Sequence, residues 1–171
     1  MASKVLNLAL RGFQFLWTLL IMALVGNMIA TAFGGNPSIV NYDMFVSVFG
    51  MLSLFYLIPA TLWDSLEFHP IIMVALDALN TLFFLIGGIA TAAELGVHSC
   101  SNAHYTLHNH VTNGSPDRAG RCHEAQASTA FLWFGFAAFA ASTFFSFLNS
   151  RGSANTRGIG IRRGGPAMSQ V

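Results

Sequence analysis

The chain has 171 residues, 54% hydrophobic and only 9% charged, with a net charge of +1; its mean hydropathy is +0.57. A water-soluble domain carries roughly 25% charged residues, so a chain this poor in charge cannot clothe a surface facing solvent. Its apolar excess faces lipid. A near-neutral balance gives no reason to expect a nucleic-acid partner, and no phosphate-cradling glycine loop, paired carboxylates or nucleophile–base spacing points to an enzyme or a cofactor.

Four apolar stretches, at 13–33, 44–63, 71–93 and 125–148, take up most of the chain. Each is about as long as a helix must be to cross roughly 30 Å of hydrocarbon at 1.5 Å per residue. The predicted fold is an all-α membrane protein, one four-transmembrane-helix bundle over 1–148 with an outer loop at 94–124. A Gly- and Ser-rich basic tail at 149–171 has no apolar periodicity and is expected to be disordered.

Lys4 and Arg11 precede the first stretch, and Ala30-Thr31-Ala32 superficially fits a signal cleavage site. The apolar run between them exceeds the roughly 7–15 residues of a signal core, so a retained first helix is expected. Four spans place both termini on one side, together with six of the eight basic residues. The positive-inside bias assigns that side to the cytosol and the 94–124 loop to the exterior. Gly26-x3-Ala30 in span one fits a small-x3-small packing pattern, as do Gly88-x3-Ala92 in span three and Ala137-x3-Ala141 with Ala138-x3-Ser142 in span four. Span two carries Gly50 and Pro59, and the proline is expected to kink the helix.

Span three carries an acid, Asp77, well inside an apolar run, with Asn80 on the same helix face. A carboxylate there costs at least about 2.5 kcal/mol on insertion scales, so it turns inward to donors or is protonated. The predicted spans hold no Lys, Arg or His to pair with it. A structural polar clasp between helices is therefore expected. The alternative is a small transporter or a metal- or lipid-responsive sensor that uses Asp77 and the outer histidines.

The outer loop holds Cys100 and Cys122, the only cysteines in the chain, and five of its six histidines. Two cysteines facing an oxidising compartment read as a disulfide. His104-x3-His108 and His108-x-His110 space imidazoles as Zn²⁺ or Cu²⁺ sites do, but no C-x2-C or H-E-x-x-H pattern accompanies them. A polar, solvated loop without metal is expected. Asn113-Gly114-Ser115 is a glycosylation sequon that Pro116 disfavours. Span four is ringed by Phe residues, as lipid-facing filler or as a surface for sterol or a neighbouring protomer. In the tail, Arg151, Arg157, Arg162 and Arg163 either set topology alone or bind anionic headgroups, with up to roughly 4 kcal/mol of attraction.

These residues resemble a known group. His98-Ser99-Cys100, Arg121-Cys122-x3-Gln126-Ala127 and Ala130-Phe131-Leu132-Trp133-Phe134 resemble the fungal MARVEL-domain membrane proteins of the non-classical export group. So do Val40-Asn41-Tyr42 with Met44-Phe45, Leu76-Asp77 with Leu79-Asn80, and the terminal Ser169-Gln170-Val171. The resemblance implies an M-shaped bundle in the fungal plasma membrane, associated with eisosomes and their scaffold proteins, responsive to sphingolipid and linked to secretion without a signal peptide. Bound sterol or sphingolipid and a homo-oligomer are expected partners, and the resemblance brings no catalytic residues.

Overall fold

The structure, a computed structural model, describes residues 2–63 and 70–158. Five helices follow in order: α1 (Ala2–Ala30), α2 (Ser38–Leu62), α3 (Pro70–Leu95), α4 (Ala103–His108) and α5 (Arg118–Gly158). Four of them, all but α4, are long and apolar enough to cross a membrane. Successive spans run up and down, so the start of α1 and the end of α5 share one end of the bundle and the 31–37 and 96–117 connections the other.

The helices begin and end where local chemistry dictates. Pro70 opens α3 with its φ already helical and no amide left unsatisfied. Gly96, at φ 59°, ends α3 in the left-handed conformation that suits glycine, and its N–H donates to Ala92 O at 3.0 Å. Asn102 caps α4 by accepting from the amides of His104 and Tyr105 at 3.1 and 3.2 Å. Asp117 does the same for α5, accepting from Gly120 N–H at 2.8 Å.

That cap explains one departure from the sequence expectation. The fourth helix starts at Arg118 rather than 125, so the last turns of the presumed outer loop are helical. At its other end α5 has no proline to stop it and runs to Gly158, through Arg151 and Arg157. The tail expected to be disordered from 149 is thus helical for its first residues. Arg162 and Arg163 lie outside the described residues. The first helix also starts early: Val5, Leu6, Leu8 and Leu10 continue the apolar pattern, which puts Arg11 inside α1 rather than before it. Pro59 lies within α2, which continues past it to Leu62.

The core is one cluster that includes Ile21, Val25, Met28, Val46, Leu54, Phe84, Leu132 and Phe139. The α3–α5 seam is reciprocal. Phe84 of α3 lies over Gly135 of α5, where a Cβ would collide with its ring, and Leu132 and Trp133 of α5 each lie 3.3 Å from where a Cβ on Gly87 or Gly88 would stand. Glycine is what lets these backbones close on large side chains without water between them. Gly26 faces Met44, 3.6 Å from its would-be Cβ. Ala30, Ala92 and Ala137 are exposed and Ala141 is half-buried, whereas the neighbouring Ala138 and Ser142 point into the bundle.

Candidate functional site: a buried polar knot and a stapled cap

A stripe of α1 residues at helical spacing, Arg11, Gln14 and Thr18, faces the bundle interior, and all three are buried. Arg11 sits third-turn deep, 3% exposed, beside an Asp77 with no exposure. Its Nη1 donates to Asp77 Oδ1 at 2.5 Å and its Nη2 to Oδ2 at 2.8 Å. This is the paired, two-point geometry in which guanidinium and carboxylate fit best. Nη1 also donates to Gln14 Oε1 at 2.9 Å, and Nε reaches Thr61 Oγ1 at 3.5 Å. Gln14 Nε2 in turn donates to Ala138 O at 3.1 Å and Ser142 Oγ at 2.8 Å. One network therefore joins α1, α2, α3 and α5.

This corrects the sequence reading in which Asp77 lacked a basic partner. Arg11 was assigned to the flank, as a topological charge, because the apolar run is read from Phe13. The helix instead carries it inward, where it neutralises the acid. Both Asp77 oxygens accept from the Arg11 guanidinium, which ties α3 to α1. Nearby, Thr81 Oγ1 donates to Asp77 O at 2.7 Å and lies 3.2 Å from Thr143 Oγ1 across the α3–α5 seam. Asn80 is buried; its Nδ2 donates to Leu76 O at 2.9 Å, and its Oδ1 faces Gly50.

The opposite end is closed by a folded cap, not by a solvated loop. Cys100 and Cys122 are bonded, with Cα atoms 5.6 Å apart. Arg121, next to Cys122 and 2% exposed, gives its donors to three separate segments. Nε donates to Val111 O at 2.6 Å, Nη2 to Asn36 Oδ1 at 2.9 Å, and Nη1 to Met28 O. Met28 O belongs to the last turn of α1, whose carbonyls lack helical partners and carry the negative end of the dipole. Tyr105 Oη donates to Leu95 O at 2.5 Å, Asn109 Nδ2 to Glu94 O at 2.7 Å, and Gln126 Nε2 to His98 O at 3.1 Å. Burial raises the Tyr105 phenol, which keeps it a donor.

The histidines line the outside of this cap. His98, His104 and His108 border an open cleft of about 360 Å³ with Asn102, Tyr105 and Asn109. The His104 and His108 rings stack at 4.3 Å, and His108 Nδ1 lies 2.8 Å from His104 O. His110 is not among the lining residues. Among the described residues no three His, Cys, Asp or Glu side chains converge as a metal cage requires. Asn113 is exposed.

Sequence reasoning missed Arg11, Gln14 and Ser142 as a set, Arg121 as a structural anchor, and Asp43 as a second buried acid on α2. The signals were present: three polar residues at i, i+3 and i+7 on α1, and Asp43 one residue ahead of where the second apolar stretch was placed.

The comparisons with known proteins fit this architecture. A family model described as the membrane-associating MARVEL domain matches residues 4–145. The chain is 34% identical over 170 residues to non-classical export protein 2 of Saccharomyces cerevisiae, covering 95% of each. It is 34% identical over 169 residues to non-classical export protein 102 of Candida albicans, covering 96% of this chain and 97% of that one. A Schizosaccharomyces pombe homologue is 32% identical over 133 residues, covering 77% and 71%. No solved structure matches. With four membrane-length helices around a shared polar knot and a family match across nearly all of them, the chain belongs to the MARVEL membrane-associating domain family.

Proposed function

We propose that this protein is a non-enzymatic organiser of the plasma membrane that acts in unconventional export, within furrow-like domains of the eisosome type. The observation that carries this reading is the direction in which chemistry points. The Arg11–Asp77–Gln14 network is spent on holding four helices together, whereas the outer face is apolar and aromatic. Phe13, Phe15, Phe45, Phe55, Trp133, Phe134, Phe144 and Phe147 are all exposed to what would be lipid. A protein so arranged works by what its surface gathers. The occupants of that surface are sterol or sphingolipid and further copies of the chain, and eisosome scaffold proteins meet its ends.

Two further observations support it. The relatives carry the name non-classical export protein. In the sequence Lys4 precedes the first apolar stretch and four arginines follow the last one, which suits a cytosolic end against anionic headgroups. The test is purification of the full chain in native lipid, with mass measurement and lipid analysis. The reading expects oligomers that retain sterol or sphingolipid above its bulk share. A monomer with lipid in bulk proportions would count against it, and ion flux in proteoliposomes that disappears in Asp77→Asn would favour a transporter.

A further inference from the structure

We propose that Asp43 is a proton-binding site buried at the loop end of the bundle and held by Thr91. Asp43 stands in the second turn of α2 and is 3% exposed; Thr91 on α3 is 2% exposed. Thr91 Oγ1 donates to Asp43 Oδ2 at 2.7 Å. Oδ1 is buried without a hydrogen-bond partner and lies against Gly87, 3.1 Å from where a Cβ would stand. The Leu132 side chain of α5 lies against the same Gly87, 3.3 Å from where its Cβ would stand, and shuts this pocket with an apolar wall.

The contrast with Asp77 gives the argument its force. Asp77 has a guanidinium on both oxygens; Asp43 has one hydroxyl on one oxygen. A carboxylate kept from water needs a countercharge or several donors, and without them it takes up a proton. The charged and titratable groups around it do not supply one. On α2 its neighbour is Tyr42. On α3 the next such group is Glu94, an exposed acid one turn past Thr91. On α5 they are Glu124, which accepts from Asn27 Nδ2 at 2.5 Å, and Arg121, whose donors go to Met28, Val111 and Asn36. On α1 the only cations are Lys4 and Arg11, towards the other end. A hard metal cation takes roughly six or more oxygens, more than one carboxylate and the Thr91 hydroxyl provide.

A proton on Oδ1 neutralises the group and leaves Oδ2 to accept from Thr91. Losing the proton to water at the loop end leaves a charge wedged between α2 and α3. Folding at this end therefore binds a proton, which predicts a bundle stabilised by acid. The sign follows from linkage. The unfolded carboxyl ionises near pH 4; above that the folded state holds one more proton than the unfolded, so stability falls as pH rises until folded Asp43 itself ionises.

The test compares the full chain with Asp43→Asn, which mimics the neutral acid, by unfolding in mixed micelles across pH in sodium chloride and in N-methylglucamine chloride. The expected result is a wild-type folding constant that falls about tenfold per pH unit relative to Asp43→Asn through the acid range, identically in both salts. A ratio that is flat or rises with pH would overturn the proposal, and a sodium-dependent ratio would replace the proton with a metal ion. Infrared difference spectra keep the idea testable even where Asp43→Asn does not fold. The wild type should show a protonated-carboxyl band at neutral pH that shifts in Thr91→Val, and its absence or indifference to Thr91 would overturn the assignment.

Discussion

Two buried arginines hold the two ends of this bundle, and they do so by different chemistry. Arg11 lies among the membrane-spanning helices and is matched to a carboxylate, so charge cancels charge. Arg121 lies at the loop end and is matched to Val111 O, Met28 O and Asn36 Oδ1, all neutral acceptors. Deep in hydrocarbon an isolated cation is too costly, and only an ion pair with further donors is tolerated. Nearer the interface the orphan carbonyls of a helix end supply partial negative charge, and a cation there completes hydrogen bonds that water would otherwise make. The same residue type thus serves as a neutralised clasp in one place and as a carbonyl collector in the other.

The largest effect should come from breaking the clasp on one side only. Asp77→Ala or Arg11→Ala leaves a buried charge without its partner, at a cost of about 3–5 kcal/mol, read as loss of folded protein in SDS titration. Next is the cap. Reducing Cys100–Cys122 releases a segment of 22 residues and should cost about 3 kcal/mol on the chain-entropy account, visible as earlier unfolding and protease cleavage within 96–117. Arg121→Lys, which cannot reach three acceptors in one plane, should cost about 1–3 kcal/mol and raise exchange of the Phe33 amide, which donates to Gly114 O at 3.0 Å. Gly135→Ala belongs in the same range, because its methyl must displace the Phe84 ring, and overpacking typically costs about 1–3 kcal/mol. Smallest is His104→Ala with His108→Ala. Both side chains are exposed, and the change should stay within about 0.5 kcal/mol. A larger loss there would mean that the cap depends on the histidine stack.

Much of this was legible in the sequence, and what was missed has a common cause. Apolar runs separated by polar segments gave four spans, because a bilayer leaves so few ways to satisfy a backbone. The family resemblance was legible at His98-Ser99-Cys100 and around Trp133. Partner choice across helices was not. One sequence shows that Asp77 needs a donor but not that Arg11, sixty-six residues away in the chain, rotates onto it. Reading hydropathy alone pushed Arg11 and Asp43 outside the spans, since a polar residue near the end of an apolar run looks like its boundary. Helical phase is the better guide: Arg11, Gln14 and Thr18 share the buried face with Ile21 and Val25. The loop was misjudged for a related reason. Asn, Gly, Ser and His suggested solvent, yet Thr106, Thr112 and Ser115 are buried, with Thr112 Oγ1 donating to Thr106 O at 2.9 Å.

The central claim is that the buried Arg11–Asp77 ion pair holds the membrane-spanning helices of this bundle together. A double-mutant cycle in lipid nanodiscs tests it most directly, with Arg11→Met, Asp77→Leu and the pair together. The account predicts that each single change is severe while the double variant regains most of the lost stability, as apolar replacement of a buried pair does, and still assembles with lipid as the wild type does. Additive losses, with the double variant worse than either single one, would contradict it.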